Sequence, residues 1–219
     1  SCIDCEVGKE CPLTNVTGTD CQAGYYSLGK QAVCTACTPG HYCSDPKIAP
    51  VECAVGTYTN MSGQSVCQNC DPGFSCPEGS SSARPTTAAC KMGYFCPDGK
   101  TETACPAGTF GNMTGATSQA NGCQTCPKGF YCPLATAGLP TNTLSCPPGH
   151  YCPDGTGDFK ANPCPAGKYY DLRGAAAEAE CKTCTAGRYC SAGSVDESTA
   201  CRRGHYCVAG SPTEVPCPA

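Results

Sequence analysis

The sequence predicts a small disulfide-rich repeat protein: short β-hairpins and turns with little helix, stacked into an elongated rod without a single hydrophobic core. Three observations predict it. Cysteine is 26 of the 219 residues, about 12% of the chain, above the level at which a disulfide scaffold becomes the default reading. One cysteine phrase returns along the whole length. Material for an ordinary core is missing, with no Trp, five Phe, 26 Gly and 20 Pro and no apolar run of helix or strand length, although a chain this long normally supports one sizeable core.

The phrase is a CxxC pair followed, after five residues containing a glycine, by another cysteine. It stands at Cys2, Cys5 and Cys11; at Cys34, Cys37 and Cys43; at Cys67, Cys70 and Cys76; at Cys123, Cys126 and Cys132; and at Cys181, Cys184 and Cys190. Self-similarity of this kind means that each unit leans on its neighbours for a core. A second phrase, Cys-Pro-Ala-Gly with an aromatic after it, opens at Cys105, Cys164 and, cut short, Cys217, with a variant at Cys53. These openings divide the chain into a truncated repeat tail at 1–20, a short four-cysteine repeat at 21–52, six-cysteine repeats at 53–104, 105–163 and 164–216, and the start of a further repeat at 217–219. The chain is therefore expected to be a piece of a longer or polymerised array.

Pro-Ala-Gly, Pro-Asp-Gly and Pro-Pro-Gly between the cysteines predict tight bends. The phrase glycines, Gly8, Gly40, Gly73, Gly93, Gly129, Gly149, Gly187 and Gly204, are expected to take positive φ or to admit a close backbone approach. Aromatics recur as regularly: Tyr42, Phe95, Tyr131, Tyr151, Tyr189 and Tyr206 precede the last cysteine of a phrase, and Tyr58, Phe110 and Tyr169 follow an opening. A stacking ladder for a ligand is one reading; the simpler one makes each ring the cover of a disulfide and the miniature core of its unit. Ala175 to Glu180 is the one stretch that reads as a helical turn.

Disulfides at this density persist in an oxidising compartment, so the chain is expected outside the cell, secreted or on the cell surface. Sequons at Asn15, Asn60 and Asn112 agree, the last two standing seven residues after Cys53 and Cys105; covalent N-linked glycans are expected there. No cofactor is expected. A net charge of −4, with Arg202-Arg203 the only adjacent basic pair, excludes nucleic acid as a partner, because phosphates require a basic stripe. No apolar span or anchor motif predicts membrane insertion in this segment.

The CxxC pairs also invite redox and zinc readings. A thioredoxin-type pair belongs on a helix of a βαβ unit, whereas these lie in Gly/Pro-rich loops. Structural zinc wants a closed set of four ligands, which the five-residue spacing does not supply. His41, His150 and His205 all occur as Gly-His-Tyr-Cys and read as variants of a position that elsewhere is Phe, Arg or Tyr rather than as a metal-binding or pH-sensing row. No Ser/His/Asp set, paired-carboxylate motif or phosphate loop appears, and an acidic calcium signature of the epidermal-growth-factor type is not evident although Asp98, Asp154 and Asp158 are acidic loop residues. An enzyme is not expected.

Six cysteines allow fifteen pairings, and spacing alone leaves them open. The order Cys-Pro-x-Gly-x-Tyr followed by CxxC resembles the cysteine-rich repeats of ephrin-receptor-like and tumour-necrosis-factor-receptor-like ectodomains. That resemblance implies Cys53 with Cys67, Cys70 with Cys90 and Cys76 with Cys96; Cys105 with Cys123, Cys126 with Cys146 and Cys132 with Cys152; and Cys164 with Cys181, Cys184 with Cys201 and Cys190 with Cys207. The short units depart from the pattern, which leaves Cys21 to Cys34, Cys37 to Cys43 and Cys5 to Cys11. Cys2 and Cys217 remain, complementary leftovers expected to bond outside this chain or to each other between copies, by self-association.

Cys-Pro-Ala-Gly-Thr-Phe with Cys-Pro-Lys-Gly-Phe-Tyr-Cys-Pro after it also resembles the ephrin-receptor-like repeats carried in many copies by surface glycoproteins of protists and algae. Some proteins of that kind build flagellar hairs, the mastigonemes. The resemblance implies an extracellular structural glycoprotein that builds or coats a surface fibre. The alternative is a ligand-binding or adhesion ectodomain, whose sign would be loops that break the repeat. The candidates, Gly79 to Ala89, Phe110 to Gly122 and Tyr170 to Glu180, are rich in Ser, Thr, Gly or Ala, not in the aromatic and Arg anchors of binding hot spots. They read as spacer or glycan-bearing loops, with O-linked sugars on Thr86, Thr87, Thr114 or Thr117.

Overall fold

The structure, a computed structural model, describes residues 5–12 and 17–218. Nearly all regular structure is short antiparallel hairpin, and helix is confined to single turns such as Gln119–Gly122 and Asn142–Leu144. The turn expected over Ala175 to Glu180 is a 3-10 turn at Glu178–Glu180. The chain forms two compact units, the first made of Ser1–Lys91, Phe95–Thr103 and Thr114–Gln119, the second of Met92–Tyr94, Ala104–Met113 and Ala120–Ala219.

In the first unit Tyr25–Tyr26 pairs Thr35–Ala36, His41–Tyr42 pairs Val51–Glu52, and Thr57–Tyr58 pairs Gln68–Asn69, all antiparallel. Lys9–Glu10 pairs Thr19–Asp20 in the same way. In the second unit Thr109–Gly111 pairs Gln124–Thr125 antiparallel and Thr136–Ala137 parallel, while Lys168–Tyr169 pairs Lys182–Thr183 and His205–Tyr206 pairs Val215–Pro216. The register explains CxxC. Its two middle residues are the return strand of a hairpin, as Thr35–Ala36 are between Cys34 and Cys37; the first cysteine bonds back to the opening of that hairpin, and the second opens the next.

Each opening runs Cys-x-x-Gly into a turn. His41 donates its N–H to Thr38 O at 3.1 Å and Thr57 to Ala54 O at 2.9 Å, placing the glycine third in a four-residue turn. Positive φ at that position is what a type II turn demands, and the eight phrase glycines all lie between 79° and 90°. Every opening cysteine from Cys21 onward repeats one backbone bond: Cys21 donates to Gly8 O, Cys37 to Gly24 O and Cys53 to Gly40 O in the first unit, and Cys126 to Gly108 O, Cys146 to Gly129 O and Cys164 to Gly149 O in the second, at 2.8–3.0 Å. The repeating step is thus one hairpin. The stretches 53–104, 105–163 and 164–216 each hold three openings, at Cys53, Cys70 and Cys90, at Cys105, Cys126 and Cys146, and at Cys164, Cys184 and Cys201.

Two kinds of hairpin follow from the residue six places after the opening. Where it is not cysteine, a long loop is closed by the first cysteine of the following CxxC: Cys21–Cys34, Cys53–Cys67, Cys105–Cys123 and Cys164–Cys181. Where it is cysteine, the bridge closes locally, as in Cys5–Cys11 and Cys37–Cys43. The receptor-type crossed pairing is therefore corrected in the six-cysteine repeats. Cys70 bonds Cys76, not Cys90, and Cys90 bonds Cys96. Cys126 bonds Cys132 and Cys146 bonds Cys152; Cys184 bonds Cys190 and Cys201 bonds Cys207. The physical reason is the turn: the positive-φ glycine folds the five-residue loop back so that the two Cα atoms stand 5.8–6.4 Å apart, inside the span a disulfide bridges without backbone movement.

Sulfur is the core. Cys53, Cys76, Cys90, Cys105, Cys126 and Cys164 are fully buried. The aromatics play a smaller part than expected: Tyr42, Tyr58, Phe95, Tyr131, Tyr151, Tyr169 and Tyr189 are half-buried and Tyr206 is exposed. Phe110 packs on Cys126 and Cys132, and Tyr170 on Cys164 and Cys181, as buried rings. A second repeated device is a hydroxyl one residue past a turn glycine. Thr156 donates its Oγ1–H to Pro153 O at 2.7 Å and Ser211 its Oγ–H to Val208 O at 2.8 Å, so these buried polar groups are satisfied locally.

Candidate functional surface

What varies between hairpins is the loop that leaves the repeated frame. In the long hairpins the chain departs immediately after the position that carries cysteine in the short ones. Thr59 occupies that position in the first unit; its Oγ1 accepts from Gly40 N–H at 2.8 Å and donates to His41 O at 3.1 Å. Asn60 and Met61 follow it, both exposed. In the second unit Gly111 holds the position because a β-carbon there would lie 2.6 Å from Gly93 N, and Asn112 and Met113 follow, again exposed. The Asn112 amide oxygen accepts from Gln124 Nε2 at 3.3 Å. Sequons are modified in accessible loops, and both described ones meet that requirement. Asn15 and Cys2 lie outside the described residues.

The corresponding place after Tyr170 is Asp171, whose carboxylate takes a 2.6 Å hydrogen bond from Lys182 Nζ. That ammonium holds the Asp171 carboxyl below the usual carboxylate range. Similar pairs sit beside other turns. Glu214 accepts from the Arg202 side chain and backbone, Glu197 from the Thr185 N–H and hydroxyl, and Asp98 from the N–H groups of Thr101 and Lys100; each carboxyl is held low by those donors. A carboxylate with a depressed pKa in the folded state stabilises it above the unfolded value and ceases to as pH falls through the folded one. Asp171, Glu197 and Asp98 are on the surface, where such pairs contribute little, and Glu214, although its side chain is only 12% exposed, pairs with an exposed Arg202. Thermal unfolding followed by circular dichroism should therefore hold a flat midpoint from pH 5 to 8 and decline shallowly below about pH 4. A steep acid transition would contradict this.

The three histidines are half-buried; His41 and His205 begin strands, and His150 makes an isolated antiparallel bridge to Pro163. His41 lies 3.9 Å from Glu52. His150 meets the Phe159 ring edge-on at 5.1 Å, and Tyr131 meets the same ring at 5.0 Å. Asp158 caps the single turn that carries Phe159. Clefts are shallow and open: one, mostly polar, is lined by Glu10, Asp20, Gln22 and Tyr25, and another, of mixed character, by Ser81, Ser82, Arg84 and Thr86. Glu10 is already committed, accepting the Cys34 N–H at 3.0 Å. Among the described residues no group of three or more His, Cys, Asp or Glu is placed to hold a metal ion, and no helix is long and apolar enough to cross a membrane.

Cys217 is exposed and carries a free thiol. Its N–H donates to Gly204 O at 2.9 Å, the bond made by the opening cysteines from Cys21 onward. The disulfide load is that of an extracellular or secreted protein. Compared with protein-family models and with curated proteins, the chain matches none.

Proposed function

We propose that this chain is an extracellular structural glycoprotein, an array of cysteine-rich hairpins that builds or coats a surface fibre of the mastigoneme kind. The observation that carries the reading is the uniformity of the step. The same opening-cysteine bond and the same buried disulfide recur in both units, while among the described residues the loops between them vary in length and converge on no shared constellation of side chains. A ligand-binding or catalytic site concentrates its chemistry in one place; a spacer repeats its frame and leaves the surface to sugars. The reading includes no catalysis and no cofactor beyond glycans on Asn60 and Asn112, with Asn15 as a third sequon.

Self-association is proposed through Cys217. Openings with Cys-Pro-Ala, Cys105 and Cys164, bond the first cysteine of a CxxC; Cys217 is a third Cys-Pro-Ala, and Cys2 begins a CxxC. Cys217 accordingly bonds a first-of-CxxC cysteine, supplied by further sequence or by Cys2 of a second copy. For the chain as given, non-reducing electrophoresis is expected to show a ladder of multimers that Cys217→Ser abolishes. Electron microscopy of native material tests the whole proposal: fibres of uniform diameter are expected, whereas monodisperse monomers that bind a soluble ligand would contradict it.

A further inference from the structure

The hairpin step sets a minimum length that some steps exceed. Cys21, Cys37 and Cys53 open at intervals of 16 residues, but Cys70 to Cys90 and Cys126 to Cys146 each take 20. Both of these hairpins are locally bridged and make the same opening bonds as the rest, Cys90 to Gly73 O and Cys146 to Gly129 O. The surplus residues are not needed for the frame. They form surface loops of similar composition, Ser81-Ser82-Ala83-Arg84-Pro85-Thr86-Thr87 in the first unit and Leu139-Pro140-Thr141-Asn142-Thr143 in the second.

The structure sorts the hydroxyl groups around these loops into two classes. Just before each loop stands a buried, locked one: Ser80 donates to Pro77 O at 2.6 Å, and Thr136 to Pro133 O at 2.7 Å. Thr86, Thr87, Thr141 and Thr143 are exposed. Thr86 and Thr87 lie in a turn closed from Ala88 N–H to Pro85 O, and the Thr141 and Thr143 hydroxyls lie 3.0 Å from each other. Proline ahead of Thr86 and Thr141 restricts the local backbone, and Ser/Thr-rich loops with Pro are the composition of O-glycosylated segments.

We infer that the 81–87 and 139–143 loops are O-glycosylation sites, with Thr86, Thr87, Thr141 and Thr143 as acceptors. A secretory-pathway transferase would join the threonine Oγ to the anomeric carbon of a nucleotide sugar. The bond from that carbon to the phosphate oxygen breaks, the nucleoside diphosphate leaves with the electron pair, and the hydroxyl proton passes to a base of the transferase. The inference rests on the extracellular reading above, since it requires passage through that pathway. Sugars at these loops and at the Asn60 and Asn112 loops would cover both units while leaving the hydrogen-bonded frame untouched.

The test is glycopeptide mapping, by mass spectrometry with electron-transfer fragmentation, of the full chain secreted from eukaryotic cells. Saccharide masses are expected on peptides holding the four threonines and none on Ser80, Thr136, Thr156 or Ser211. Replacing all four threonines by Ala should remove those masses without shifting the unfolding midpoint. N-linked sugar at Asn60 and Asn112 with bare loops would overturn the inference while leaving the extracellular reading in place, as would sugar on the locked hydroxyls. Absence of both N- and O-linked sugar would overturn the two together.

Discussion

Treated with a reducing thiol at neutral pH, the chain is expected to unfold completely, losing amide protection in both units within one hydrogen-exchange labelling pulse. The frame between cysteines is strands of two or three residues, and isolated hairpins of that size are not stable in water. In the chain-entropy model a long bridge such as Cys105–Cys123 constrains the unfolded chain by about 3 kcal/mol and a five-residue loop such as Cys126–Cys132 by about 2 kcal/mol. Ordering costs about 1–2 kcal/mol per residue in backbone entropy, and the few buried rings, Phe110 and Tyr170, cannot offset that for a chain of this length. Retention of protection after full alkylation of the thiols would show that the hairpins carry stability of their own.

Gly24→Ala is expected to be the most damaging single substitution outside the cysteines. Gly24 has φ +90°, and a β-carbon there would lie 2.0 Å from Gly63 O and 2.5 Å from Gly63 C. The left-handed backbone costs an L-residue about 1–2 kcal/mol, and relief of the overlap by backbone movement about 1–3 kcal/mol more. The total, about 2–5 kcal/mol, is at least the contribution of one short bridge. Gly187→Ala separates the two effects, since φ there is +85° and nothing lies within 4 Å; it should lose only the first. Ala135 provides the opposite sign. It holds φ +61° at a turn position where the matching residues Gly79 and Gly155 are glycine, so Ala135→Gly should stabilise by about 1 kcal/mol. Urea midpoints of the oxidised variants check all three, and equal losses at Gly24 and Gly187 would refute the close-approach argument.

Much of the fold was legible because cysteine and glycine carry their constraints in their spacing. The five-residue interval between Cys37 and Cys43, with Gly40 inside it, dictates a turn, and the structure has one. The crossed pairing implied for Cys70, Cys76, Cys90 and Cys96 came from a resemblance and failed because the positive-φ glycine inside each C-x5-C loop, Gly73 or Gly93, brings the nearer pair of cysteines together. Nothing in the spacing revealed the buried hydroxyls of Ser80, Thr136, Thr156 and Ser211. They follow Cys-x-x-Gly or, at Thr136, Cys-x-x-Ala, a signal visible once the second cysteine of each short loop is seen to start its own turn. The aromatics misled for another reason: a ring beside a cystine need cover only one side of it, so regular placement did not mean burial.

Each hairpin of the frame is closed by its own disulfide. Chymotryptic digestion of the oxidised chain, with thiols blocked, tests it directly because Leu134 and Leu144 lie between two adjacent short bridges of the second unit, Cys126–Cys132 and Cys146–Cys152. Separate release of a fragment linked Cys126 to Cys132 and another linked Cys146 to Cys152 is the predicted result. A single fragment joining Cys126 to Cys146 or Cys132 to Cys152 would contradict it and restore the crossed receptor-type arrangement.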